Sequence, residues 1–244
     1  FNGLGVSKDV KEAKKYFEIS ASKKNNKAQN ALGCLFYNEK NYISAKYYFE
    51  LAANQNNPNS LIGLGLLYFN GFGVERDYKK AFQCFKSAAN MNDPRAFYNL
   101  GVLYYLGFGV EQNYQKAKNY FEASASYNDP DACLCLGILH QEGKGVPQNY
   151  NSAINYYKLA AQRGVASAYV QLGKLCFEGK GCKKDLEHAK FFFENAALID
   201  QDCYYYVGLI YYVKKKYTEA KTYFEIAAEN GFPMALANLG NLYL

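Results

Sequence analysis

The stretch SLIGLGLLYFNGFGVERDYKKAFQCFKSAA, Ser60–Ala89, decides the fold. It opens on a small residue, Ser60. Leu64-Gly65 follows inside an apolar run, with Tyr68 three residues on. The run reads as a helix. It stops at Gly71-Phe72-Gly73-Val74, where the first glycine suits a left-handed C-cap that a Cβ would penalise. Asp77 is then a good N-cap. A second helix carries Ala81 and Phe85 on one face and closes on Ala88-Ala89. The stretch is therefore a helix hairpin, a first helix A and a second helix B.

The same pattern recurs along the whole 244-residue chain. A Leu-Gly or Val-Gly pair places glycines at Gly33, Gly65, Gly101, Gly137, Gly173, Gly208 and Gly240, spaced by 32, 36, 36, 36, 35 and 32 residues. Five residues before each glycine sits Ala28, Ser60, Ala96, Ala132, Ala168, Cys203 or Ala235. Three residues after it come Phe36, Tyr68, Tyr104, His140, Cys176, Tyr211 and Tyr243. Glycine loops follow at Gly107-Phe108-Gly109-Val110, Gly143-Lys144-Gly145-Val146 and Gly179-Lys180-Gly181-Cys182, and a further copy, Gly3-Leu4-Gly5-Val6, opens the chain. Asp9, Asn113, Asn149 and Asp185 repeat the N-cap of Asp77. Two repeats differ: between Phe36 and Ala45, and between Tyr211 and Ala220, the loop is four residues shorter. A period of this length marks a stack of supersecondary units. The reading is all-α: about seven antiparallel helix pairs, fourteen helices and no sheet, in one solenoid spanning residues 1–244. A helix-interior glycine costs ~1 kcal/mol against alanine. Keeping it in seven repeats implies close approach of another helix.

These residues resemble the Sel-1-like repeat family, a relative of the tetratricopeptide repeats. The family pattern of Ala, Leu-Gly, Tyr, Gly-x-Gly-Val, Asp, Lys-Ala, Tyr-Phe and Ala-Ala is matched closely by Ser60 to Ala89, and nearly as well by Ala96 to Ala125 and Ala132 to Ala161. The resemblance covers the whole chain and implies a right-handed superhelical α-solenoid. Cys133 falls where a cysteine-rich bacterial branch of the family places a disulfide cysteine. The partner positions here are Ala89, Ala125 and Ala161, so the resemblance implies no such bridge. The chain opens and closes at the end of a helix A, with Phe1 and Leu244 both matching Phe69. With no polar capping repeat visible, a fragment of a longer protein is expected.

Composition narrows the function. A net charge of +6, spread along the chain, gives no cluster of the kind that holds phosphates, so no nucleic-acid partner is expected. The apolar run Leu61–Phe69 falls well short of the roughly 20 residues a membrane span needs, so no direct membrane insertion is expected. Seven cysteines, an odd number at irregular spacing, read as reduced buried thiols, so a cytoplasmic location is expected. No Asn-x-Ser/Thr sequon occurs.

Chemistry finds little purchase. Each Gly-x-Gly follows a helix and lacks the third glycine of a dinucleotide fingerprint. His140 occupies the aromatic position of helix A and reads as a packed ring, and His188 reads as solvated. No His pair at metal-ligand spacing exists. Catalytic residues, cofactors and metals are expected to be absent.

The expected role is a non-catalytic interaction scaffold or adaptor that binds a partner protein, peptide or helix. Two alternatives stand beside it. One is an adaptor in ER-associated degradation, a role of the family's namesake. The other is a substrate-recruiting array attached to an enzyme such as a protein kinase outside this chain. By analogy with tetratricopeptide arrays, the concave face takes the residues at minus three, plus one and plus four from each glycine. These are Ile62, Leu66 and Phe69; Tyr98, Val102 and Tyr105; Leu134, Ile138 and Gln141; Val170, Lys174 and Phe177; Tyr205, Leu209 and Tyr212. Each trio lies on one helical stripe. Such an apolar stripe is either a binding groove or core between repeats.

Overall fold

A computed structural model of the chain describes residues 9–244. The loop at residues 3–6 lies outside them. Two compact units are formed, Phe1–Tyr127 and Asn128–Leu244. The first holds α1 (Val10–Ser22), α2 (Asn26–Asn38), α3 (Tyr42–Ala53), α4 (Pro58–Asn70), α5 (Tyr78–Ala89), α6 (Pro94–Leu106) and α7 (Tyr114–Ser126). The second holds α8 (Pro130–Glu142), α9 (Tyr150–Ala161), α10 (Ala166–Glu178), α11 (Leu186–Ala197), α12 (Tyr204–Val213), α13 (Tyr217–Glu229) and α14 (Pro233–Tyr243). Among the described residues there is no strand. Even-numbered helices are A helices and odd-numbered ones B helices. One detail departs from the repeat: Gln201–Cys203 is a 3-10 turn, so Cys203 precedes α12 instead of lying in it.

The caps fall where the sequence places them. Asp77, Asn113, Asn149 and Asp185 accept from backbone N–H groups in the first turns of α5, α7, α9 and α11. Pro58, Pro94, Pro130 and Pro233 each open an A helix, where a missing N–H costs nothing. Gly71 and Gly107 end α4 and α6 in the left-handed region, each at φ 72°. Long and short connections close on the same group. The N-cap N–H of the next helix donates to the carbonyl three residues past the repeat glycine. Asp77 reaches Tyr68 at 3.0 Å across a long loop, and Asn41 reaches Phe36 at 2.9 Å across a short turn.

The repeat glycine explains the hairpin. Helix B carries a ring four residues past its repeat alanine, and that ring packs against the glycine of its own helix A. A Cβ on Gly65, Gly101, Gly137, Gly173 or Gly208 would come under 3.0 Å from Phe85, Phe121, Tyr157, Phe193 or Phe224, and Gly33 meets Phe49 in the same way. Most of these rings are almost fully buried, as are Ala81, Ala117, Ala153 and Ala189 beside them. Burying each ring contributes about 2–3 kcal/mol, more than the ~1 kcal/mol that helical glycine costs. The small residue five positions earlier is buried in every repeat from Ala28 to Ala235, opening the same groove.

Candidate protein-interaction face

In each unit the A helices leave a stripe that the ring-on-glycine packing does not cover. In the first unit, Leu66, Phe69, Tyr98, Val102 and Tyr105 are half-buried. In the second, Leu134, Ile138, Gln141, Val170, Lys174, Phe177 and Leu209 are half-buried, and Tyr212 is 37% exposed. Two residues leave the expected face. Ile62 and Tyr205 are each only 5% exposed and belong to the core. Ile62 packs with Phe85 and Leu100, and Tyr205 packs on Phe224 and Phe232. The minus-three position therefore points partly toward the neighbouring hairpin, and a well-fitted neighbour closes it. Tyr98 keeps part of its ring open while leaning on Phe121 at 6.0 Å.

The plus-four residues are fixed by the start of helix B. Phe69 meets Tyr78 edge-on at 5.4 Å, Tyr105 meets Tyr114 at 5.4 Å, and Tyr212 meets Tyr217 at 5.6 Å. Gln141 takes another route: its side-chain oxygen accepts from the Tyr157 hydroxyl at 2.8 Å. Lys174 lays its ammonium 5.0 Å from the Tyr206 ring centre, so its stem covers apolar surface while its charge stays wet. Each anchor spends side-chain freedom at folding instead of at binding.

A cleft of about 170 Å³ lies on this stripe in the first unit, between α2, α4 and α6. Cys34, Tyr37, Asn59, Leu66 and Arg95 line it. The Arg95 guanidinium donates to buried Asp93 at 2.6 and 3.0 Å and also to the Asn59 side chain. Burial pushes up the Cys34 thiol, against the pull of Arg95. Burial and then Tyr42 push up the Tyr37 phenol. Both stay neutral at physiological pH. A cleft of about 210 Å³ in the second unit is lined by Ser167, Val170, Asp200, Asp202, Cys203 and Tyr206. Burial, then Asp200 and Asp202, push the Cys203 thiol up to about 11. One cleft thus carries a guanidinium and the other a pair of carboxylates.

The sequence reading missed Cys34, Tyr37, Asn59, Arg95 and Asp202. The first two are plus-one and plus-four residues of α2, the repeat left out of the trios. The others share the position six before the repeat glycine. Asn59, Arg95, Asp131, Ser167 and Asp202 make it polar in five successive repeats, at the mouth of each A helix.

Among the described residues, no group of three or more His, Cys, Asp or Glu could hold a metal ion. His140 stacks on Tyr156 at 5.4 Å, and exposed His188 sits 2.8 Å from the Asp185 carboxylate. Among the described residues, no helix is long and apolar enough to cross a membrane.

Consecutive helix hairpins, each with a ring-on-glycine core, define a helical repeat protein. The Sel1 repeat model matches residues 1–25, 26–57, 58–93, 94–128, 130–165, 166–199 and 203–232, so the chain belongs to the Sel1 repeat family. No curated protein matches the chain. Solved structures do. A Sel1 repeat protein from Oxalobacter formigenes is 33% identical, with a TM-score of 0.79 over 86% of this chain and 88% of that one. The protein c5321, described as a protective antigen of uropathogenic Escherichia coli strains, is 28% identical with a TM-score of 0.84. That match covers 94% of this chain, which spans only 51% of the length of c5321. A putative Sel1 repeat protein from Klebsiella pneumoniae, 15% identical with a TM-score of 0.53, shares the fold. Sel1 repeat proteins are generally non-catalytic scaffolds for protein interaction.

Proposed function

We propose that this chain is a scaffold that binds an apolar segment or helix of a partner protein along the A-helix stripe. The observation that carries this is the half-open state of the stripe. Thirteen of the fifteen expected residues stay partly accessible, though they are apolar or aromatic in all but two cases. Side chains of this kind with a ring on the protein and an edge in water suit interface anchors. The plus-four rings are already held by Tyr78, Tyr114 and Tyr217, so a partner meets them preordered. An amphipathic helix laid along such a stripe would present its own anchors at three- and four-residue spacing.

The test is a photo-crosslinking amino acid placed at Val102 or Ile138 on the stripe, and at Gln115 or Asn151, which are exposed on α7 and α9. In cells that make this protein, the first pair should trap a defined partner band and the second pair none. Equal trapping at all four positions would overturn the assignment of the face.

A further inference from the structure

The hairpin of α10 and α11 departs from its neighbours at two positions at once. Three residues past the repeat glycine, other A helices place a ring that stacks on helix B. Phe36 stacks on Tyr48, Tyr104 on Tyr120, His140 on Tyr156 and Tyr211 on Tyr223, with ring centres 5.3–5.6 Å apart. In α10 that position is Cys176. The last residue of the glycine loop is Val74, Val110 or Val146 elsewhere, and Cys182 here.

The two replacements meet. The Cys176 and Cys182 sulfurs lie 3.9 Å apart, and both residues are half-buried free thiols. The Cys182 sulfur also sits 3.7 Å from the main-chain oxygens of Leu175 and Lys180. The loop between them is tied at its far end, where the Asp185 N–H donates to the Cys176 carbonyl at 3.0 Å. It is also seated on the preceding helix, because Gly181 packs against Tyr150 and Ile154 of α9.

We propose that Cys176 and Cys182 are a redox modification site, a thiol pair that closes to an intrachain disulfide and locks the loop to the end of α10. A disulfide needs its sulfurs about 2 Å apart. The remaining approach of about 2 Å is within reach of side-chain rotation. The oxidant is a low-molecular-weight disulfide of the glutathione class. The Cys182 thiol gives its proton to water, and its sulfur attacks one sulfur of the oxidant. That breaks the oxidant's S–S bond and expels the first thiolate. The Cys176 sulfur, losing its proton in turn, attacks the Cys182 sulfur and expels the second thiolate. Two cysteine thiols lose two electrons and two protons, and one small disulfide becomes two small thiols. Burial, then Cys182, push the Cys176 thiol up to about 11, so little Cys176 thiolate is present at neutral pH. Cys176 directly precedes Phe177 of the proposed binding stripe, but the test of the thiol pair is independent of any partner.

The chain is reduced, freed of reductant, and exposed to glutathione disulfide. Remaining thiols are then alkylated, and peptides are mapped by mass spectrometry without reduction. The expected result is a Cys176–Cys182 linkage, lighter by two hydrogens, unalkylated, and reopened by dithiothreitol. Cys84 and Cys135 should be alkylated once the chain is unfolded. The Cys182→Val variant carries the residue of the other loops and should melt with the reduced chain. Its Cys176 should stay alkylatable after the same treatment. Recovery of both cysteines as alkylated or as separate glutathione adducts would overturn the proposal. So would linkage of either one to a third cysteine.

Discussion

The glycine loops of the two units have one backbone and two surfaces. Gly71 and Gly107 in the first unit sit at φ 72°, and Gly143 and Gly179 in the second at 70° and 74°. The N-cap residue closes on the same carbonyl in all four, at 2.8–3.0 Å. The second loop residue differs. In the first unit Phe72 stacks on Tyr42 at 4.7 Å and Phe108 on Tyr78 at 4.5 Å. In the second unit Lys144 pairs with Glu142 and Lys180 with Glu178, each at 2.7 Å. Glycine at the cap settles the chain's path, because few other residues accept a positive φ. The next side chain is then free to set the chemistry of the surface. One frame carries an aromatic seam in residues 9–127 and exposed ion pairs in residues 128–244.

The largest effect should come from breaking what the units share. Gly101→Val and Gly173→Val each drive a branched side chain into a buried ring, Phe121 or Phe193. Each should destabilise by about 1–3 kcal/mol in urea unfolding. Small effects at both sites would mean that the ring does not select the glycine.

Exchanging the loop residues sharpens the contrast. Phe108→Lys removes the stack on Tyr78 and should cost about 0.5–1.5 kcal/mol. Lys180→Phe, next to Gly181, which the same loop seats on Tyr150, should gain up to about 1 kcal/mol. The lost ion pair with Glu178 barely offsets that gain, because both partners are about half exposed and such pairs contribute little. If both exchanges are neutral, the aromatic seam is decoration on the frame and not part of its stability. The smallest effect lies in the short turns. Lys216 precedes α13 and makes no side-chain cap, whereas Asn41 caps α3 through the Ser44 N–H. Lys216→Asp should raise stability by about 0.5–1 kcal/mol, read as a higher urea midpoint.

The frame was legible in the sequence because its determinants are local and repeated. Asp77 as a cap and Pro94 opening α6 act within a turn of chain, and Gly65 meets Phe85 in the very next helix. The stripe was only partly legible. Spacing from the glycine places Ile62 and Leu66 on one line, but depth along that line depends on the neighbouring hairpin. Phe85 and Leu100 close over Ile62 and leave Leu66 partly open. The clefts were less legible still. Asn59 and Arg95 come together across 36 residues, through a polar position that no apolar periodicity marks. The 3-10 turn at Gln201–Cys203 was missed, and a missing proline does not account for it, because α2 and α10 also open without one.

The most direct test of the scaffold reading uses a partner trapped by crosslinking and two aspartate variants on the stripe. Val102→Asp and Ile138→Asp put a charge among apolar contacts on α6 and α8. Gln115→Asp and Asn151→Asp put the same charge on exposed positions of α7 and α9. All four chains should keep their helical circular dichroism. The stripe variants should bind that partner roughly 30- to 100-fold more weakly, the cost of about 2–3 kcal/mol for an unpaired charge at an apolar contact. The α7 and α9 variants should bind as the native chain does. Native-strength binding by both stripe variants, or equal loss in all four, would contradict the account.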